Sequence, residues 1–233
     1  MPRLTLGGGL RTVRIIRNEV ESLENRRMLA AHIAGSSTVY ATIQAAVDAA
    51  SPGATINVDA GNYKELVTVG KTLTIRGAQA GVDARSNTRL SGASESIITG
   101  QGSGTAVSSS FKIIANDVTI DGFTVQGTTS ANSTGGIVLG PNIAGAHILD
   151  NIVQNNVAGM VLSNNSTTDA AVIQHNVFRN NNNDGANGGR GIYTDESFFG
   201  SKLTNVTIDG NSFQRNQGGN GTTGFEAAVA IET

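Results

Sequence analysis

Two pairs of side chains in this sequence have the types and spacing for acid–base or cation chemistry. The first pair is Asp195 and Glu232. If Ile192 and Thr194 face inward, the period of two along a strand turns Asp195 outward. The same parity in Val229–Ile231 puts Glu232 beside it on the next coil. Arg190, Glu196 and Lys202 lie close by in sequence. Carboxylates on neighbouring strands, about 4.8 Å apart, can share Ca²⁺ or flank a glycosidic bond. The second pair is Asp150 and His175, at equal offsets in a repeated unit. An imidazole beside a carboxylate can serve as an acid–base couple. Asp121 and Asp209 share that offset too, but strand spacing separates them by roughly 14 Å, too far to act on one bond.

These pairs depend on elements that recur. Val118–Val125, His147–Val153, Val172–Phe178 and Thr207–Phe213 superpose, with Ile120, Ile148, Ile173 and Ile208 in one column and Val125, Val153, Phe178 and Phe213 in another. The spacings are 28, 25 and 35 residues, the last enlarged by a polar, glycine-rich excursion at 180–191 that suits a binding loop. Each unit carries a further strand, at Ile137–Leu139, Met160–Leu162, Ile192–Thr194 and Val229–Ile231. Asn151, Asn176 and Asn211 coincide, as do Asn156, Asn181 and Asn216, so their amides can bond up and down a ladder. Phe123 stands where the first Asn would be. Three short strands in about 25 residues make one turn of a solenoid, whose coils bury their inner faces by stacking.

Further strands are expected at Thr55–Val58, Leu66–Val69, Leu73–Ile75, Ile97–Ile98 and Phe111–Ile114. Ile43, Ala46, Val47 and Ala50 fall on one face of a helix over about 42–51, which Ser51-Pro52-Gly53 stops. The fold class is therefore all-β: a right-handed, single-stranded parallel β-helix with a short N-terminal capping α-helix, covering 37–233. A solenoid needs a cap at each end. None is evident after Glu232, so a truncated C-terminus, or self-association through an uncapped last coil, is expected.

Composition narrows the function classes. The 233 residues carry 16 basic and 18 acidic side chains, a net charge of −2, which draws the chain to neither nucleic acid nor an anionic membrane. The absence of cysteine excludes disulfides, Cys-ligated zinc and thiol catalysis. No apolar run approaches the roughly 18 residues of a membrane span. With 4% aromatics and no Trp, the core must be built from Val, Ile, Leu and Ala.

The repeats resemble those of the pectin-lyase-like superfamily of parallel β-helix proteins over about 38–233. The segments Thr42–Ala50 and Ala60–Glu65 are also similar to the start of pectin methylesterases. The catalytic segments of those enzymes, an Asp-Phe-Ile-Phe-Gly strand and a Gly-Arg-Pro-Trp loop, do not occur here, so that activity is not carried over. In the superfamily, lyases place Ca²⁺ on acidic side chains with Arg or Lys as base, and hydrolases use paired or triple Asp. The resemblance thus implies Asp195 and Glu232 as carboxylates and calcium ligands and Arg190 as base, with Glu196, Lys202, Asp150 and His175 as substrate contacts. Residues 1–36 read separately and hold Arg3, Arg11, Arg14, Arg17, Arg26 and Arg27. Leu23, Glu24, Arg26 and Leu29, with Ala30 where Ser is usual, resemble a motif near the start of many large exported planctomycete proteins. That implies a poorly ordered sorting segment and an extracellular or cell-surface location.

Three functions stay open: an exported module that binds polysaccharide or acts at the cell surface without catalysis, which is preferred; a lyase or hydrolase of acidic polysaccharide; and a structural or adhesive repeat array.

Overall fold

The computed structural model describes residues 30–91, 94–100, 102–103, 106–107, 109–129, 135–185, 188–195, 203–218 and 227–232. The chain enters through β1 (Ala31–Ile33), β2 (Val39–Tyr40) and α1 (Ile43–Ala49). Six coils of three strands follow. They are β3 (Thr55–Val58), β4 (Gly61–Lys64) and β5 (Val67–Val69); then β6 (Thr74–Arg76) and β7 (Ser96–Thr99), followed by a small antiparallel pair β8 (Gly102–Ser103) and β9 (Ala106–Val107), and β10 (Phe111–Ile113). Next come β11 (Thr119–Asp121), β12 (Phe123–Gln126) and β13 (Ile137–Leu139); β14 (His147–Leu149), β15 (Ile152–Gln154) and β16 (Ala158–Val161); β17 (Ala171–Gln174), β18 (Val177–Arg179) and β19 (Arg190–Asp195); and β20 (Val206–Asp209), β21 (Ser212–Gln214) and β22 (Ala227–Glu232).

Every coil gives one strand to each of three sheets. Sheet A runs β2-β1-β3-β6-β11-β14-β17-β20, sheet B runs β4-β7-β12-β15-β18-β21, and sheet C runs β5-β10-β13-β16-β19-β22. From β3 onward all pairings within these sheets are parallel and in register. The chain is thus an all-β, solenoid-like stack. The expected strands recur with boundaries shifted by a residue or two. The folded body also reaches back into the segment expected to be poorly ordered, because β1 pairs antiparallel with β3. The resembling export motif at 23–29 lies outside the described residues.

Registration stacks like on like. Ile56, Ile75, Ile120, Ile148, Ile173 and Ile208 form one inward column on sheet A. Tyr63, Ile98, Val125, Val153, Phe178 and Phe213 form another on sheet B. β-branched side chains suit this packing because their restricted rotamers already match a pleated surface. Phe178 and Phe213 stack at 5.2 Å between ring centres. Room for them comes from Gly159 and Gly191 on sheet C: a Cβ on Gly159 would lie 2.9 Å from the Phe178 ring and 2.4 Å from the Gly191 carbonyl oxygen.

The corners are built from left-handed residues. Gly122, Asp150, His175 and Gly210 have φ of 76°, 55°, 57° and 60° at the turn from sheet A to sheet B. Gly127, Asn155, Asn180 and Arg215 do the same from B to C. The residue after each turn at coils four to six is an inward Asn, and these make the two expected ladders. Asn151 Nδ2 donates to Asn176 Oδ1 and Asn176 Nδ2 to Asn211 Oδ1, at 3.1 and 3.0 Å. Asn156, Asn181 and Asn216 repeat the pattern at 3.0 Å each. The first ladder reaches back to the coil that lacks an Asn, where Asn151 Oδ1 accepts from the Phe123 amide.

The first coil is covered by α1. Seven residues are too few for a helix to be stable alone. Both ends are held by the coil beneath. Glu65 accepts from the Ile43 and Gln44 amides at 3.0 Å, and Lys71 Nζ donates to the Val47, Asp48 and Ala50 carbonyls. An anion at the N-terminus and a cation at the C-terminus both oppose the helix dipole. Tyr63 Oη, whose one proton lies within reach of the Ala30 and Asp59 carbonyls and which accepts from the Ala30 amide, ties the start of the described chain to β4, and burial pushes its pKa up to about 12. Among the described residues no helix is long and apolar enough to cross a membrane.

Candidate functional site

The structure pairs β19 with β22 so that Asp195 stands opposite Glu232 at the ends of neighbouring strands. The side chains of both, and Glu196 and Lys202 entirely, lie outside the described residues. Arg190 is buried, with its guanidinium 4.7 Å from the centre of the Tyr193 ring. Among the described residues, no group of three or more His, Cys, Asp or Glu side chains is placed to hold a metal ion.

Asp150 and His175 do come together. Asp150 Oδ1 lies 3.6 Å from His175 Nδ1, with both residues in left-handed corner positions on adjacent coils. Asp150 is buried, and burial raises its pKa above the usual carboxylate range, with the Asp121 carboxylate adding to the rise. Burial also raises Asp121, although the Gly81 amide donates to it at 3.0 Å.

What buries this corner is the described part of the segment between β6 and β7, residues 77–91 and 94–95, which the repeats gave no reason to expect. It leaves β6, runs lengthwise across the A–B corner and returns to β7. Gln79 N donates to Gly122 O on coil three, Arg89 Nη1 to Asp150 O on coil four, and Ala84 N to His175 O on coil five. At its root Arg89 and Glu95 form a buried two-point ion pair at 2.6 and 2.9 Å, and Thr124 Oγ1 donates to Glu95 at 3.0 Å. Ala84 packs on Ile152 and Val177.

Ile152 and Val177 belong to the outer face of sheet B. Two outward rows cross that face: Asn62, Ile97, Thr124, Ile152, Val177 and Ser212, and beside it Lys64, Thr99, Gln126, Gln154, Arg179 and Gln214. In the second row Arg179 Nε donates to Gln154 Oε1, and Gln154 Nε2 donates to Gln126 Oε1, each at 2.8 Å. An Arg has no acceptor, so it fixes the direction of the chain. Gln154 must turn its oxygen toward Arg179, and Gln126 must turn its oxygen toward Gln154. The Gln126 amide nitrogen and the Arg179 terminal nitrogens are left as donors on the outer face. The row is walled on its other side by the segment after β18, where Asn183 Nδ2 donates to the Thr128 and Asn155 carbonyls at 2.8 Å. The first part of the excursion expected at 180–191 is therefore pinned at Asn183 against coils three and four.

No protein-family model matches this chain, and searches of the curated proteins and of the solved structures return no match.

Charge separates the faces. The two rows on sheet B contain Lys64 and Arg179 and no carboxylate. Around sheet A the acids gather: Asp121 and Asp209 on its strands, and Asp117 and Asp169 at its leading edge. A cavity of about 300 Å³ lies there, lined by Asp117, Thr119, His147, Asp169 and Val172 from three successive coils. A second, of about 480 Å³, lies beside Asn57, Asp59, Gly77 and Ser94 at the root of the 77–95 segment. The sheet B row was missed in the sequence because Gln126, Gln154 and Arg179 have no common chemistry as isolated residues. Their signal is positional: each follows the inward Val or Phe of its repeat by one residue.

Proposed function

We propose that the chain is a right-handed parallel β-helix module of the pectin-lyase-like kind, exported to the cell surface or beyond, that binds polysaccharide on the outer face of sheet B without catalysing its cleavage. The handedness is supported by the order in which each coil visits the three sheets with parallel strands, since crossover connections between parallel strands are right-handed in nearly all proteins. The binding reading is carried by one observation: a hydrogen-bonded row of Arg179, Gln154 and Gln126 that repeats at the coil spacing of about 4.8 Å and faces outward. A polymer lying along the solenoid axis meets a polar group at every coil. A single small ligand would use one.

Isothermal titration of the whole chain with polygalacturonate and with a soluble uncharged glucan tests this. Absorbance near 235 nm and reducing ends are followed in the same samples. Binding without products is the expected result, and Arg179→Ala should weaken it. Unsaturated products would identify a lyase, new reducing ends alone a hydrolase. No heat and no products with either polymer would refute the proposal and favour a structural array.

A further inference from the structure

We propose that the tip of the segment over the A–B corner, residues 83–86, is a lid that covers the Ile152 and Val177 patch of the sheet B face and must lift before a polysaccharide seats fully. This rests on the polysaccharide reading above and concerns the regulation of that same site.

The segment is anchored unevenly. Its root is fixed by the buried Arg89–Glu95 pair, by Arg89 Nη1 on the Val82 and Asp150 carbonyls, and by Thr124 on Glu95. Its tip meets the coils through one backbone hydrogen bond, Ala84 N to His175 O at 3.1 Å, through the Ala84 methyl, and through the charges of Arg85 toward Asp209 and Asp150 and of Asp83 toward His175. The charged residues of the tip turn to each other. Arg85 Nη2 lies 2.6 Å from Asp83 Oδ2, and both side chains are well exposed. Elements with few buried contacts and solvent-facing hydrogen bonds are the ones that open locally. The root supplies a fixed point about which such a tip can swing.

What the tip hides is specific. Ile152 and Val177 point outward from sheet B, yet they are only 3% and 5% exposed, and Ala84 is the residue that shares their apolar cluster. Gln154 and Arg179 stand two positions on in the same strands, uncovered by that cluster. With the tip closed, the face beside Ile152 and Val177 offers the polar row of Gln126, Gln154 and Arg179 without these two apolar side chains. With the tip lifted, it offers an apolar stripe beside a row of donors. That combination suits a sugar ring, which has an apolar C–H face and a hydroxyl edge, and matches the usual make-up of ligand sites. The closed tip thus withholds the apolar half of the contact, and affinity falls with the fraction of molecules that are open.

The chain has no cysteine, so introduced thiols are unique. Two experiments follow. In Val177→Cys, with the native tip, the thiol should react with a small disulfide reagent faster than global unfolding allows. In Ala84→Cys/Val177→Cys, closed by a disulfide or a short bis-thiol linker, binding of polygalacturonate and of a soluble glucan should weaken by roughly tenfold or more, and reduction of the disulfide should restore it. Ala84→Glu, which cannot bury its charge on Ile152, should bind more tightly than the native chain. Labelling no faster than unfolding, or equal binding by the closed and reduced forms, overturns the lid. Absence of binding in native, closed, reduced and Ala84→Glu forms alike overturns the polysaccharide reading, and the lid with it.

Discussion

Asn176→Ala should be among the most damaging single truncations in the chain, and the structure says why. Asn176 is fully buried and is the middle rung of the first ladder. Its Oδ1 accepts from the Asn151 backbone amide at 2.8 Å and from Asn151 Nδ2 at 3.1 Å. Its Nδ2 donates to the Ile148 carbonyl at 2.7 Å, the Gln174 carbonyl at 2.9 Å and Asn211 Oδ1 at 3.0 Å. Truncation leaves the Asn151 amide and the Ile148 carbonyl without these partners, in a place water does not reach. A buried polar group left unsatisfied costs about 1–3 kcal/mol, so two cost about 2–6 kcal/mol. The loss of ladder contacts should also show as coupling. In Asn151→Ala/Asn176→Ala the combined loss should fall short of the sum by about 1 kcal/mol, because the Asn151 Nδ2–Asn176 Oδ1 hydrogen bond is lost in either single variant and can be lost only once in the double. Urea denaturation at neutral pH, followed by circular dichroism, measures both. A loss below about 1 kcal/mol, the size of an ordinary substitution, would refute the ladder as a stabilising device.

Other expectations follow from single contacts. Gly159→Ala puts a methyl 2.4 Å from the Gly191 carbonyl and 2.9 Å from Phe178, and should cost about 1–3 kcal/mol in the same denaturation assay. Lys71→Met removes the cation from three helix carbonyls and should cost about 1.5–3 kcal/mol, with hydrogen exchange of α1 rising before that of the coils. Asp121 and Asp150 have carboxyl pKa values raised by burial, so the folded state binds protons more readily than the unfolded chain. Their contribution therefore favours folding more as pH falls from neutrality toward about pH 4, the ordinary carboxylate range. Asp150→Asn, which also tolerates a left-handed corner, should raise the urea midpoint at neutral pH and flatten its pH dependence.

The coils were legible because repetition makes them so. A solenoid places equivalent residues in columns, and the columns of Ile120, Ile148, Ile173 and Ile208 and of the ladder asparagines can be read by superposing the chain on itself. The same superposition brought Asp150 to His175 and Asp195 to Glu232. The corners were half legible: Asp150, Asn155, His175 and Asn180 are residue types that accept positive φ, and each precedes a ladder Asn or stands next to one. What lay hidden has no period. The 77–95 segment crosses three coils through contacts such as Ala84 with His175, which no neighbouring repeat echoes. Glu65 and Lys71 hold α1 from more than twenty positions away, where local pattern carries no signal. The donor row on sheet B needed both a register and a hydrogen-bond direction, and only the first is written in the repeats.

The most direct test of the binding account is to watch the carboxamide signals of Gln126 and Gln154 by nuclear magnetic resonance while a soluble polysaccharide is added to the native chain. The account predicts that these two signals and the Arg179 Nε signal shift together, saturably, while the side-chain signals of His147 at the acidic edge of sheet A stay in place. Shifts confined to the edge of sheet A, with Gln126, Gln154 and Arg179 unmoved, would contradict it.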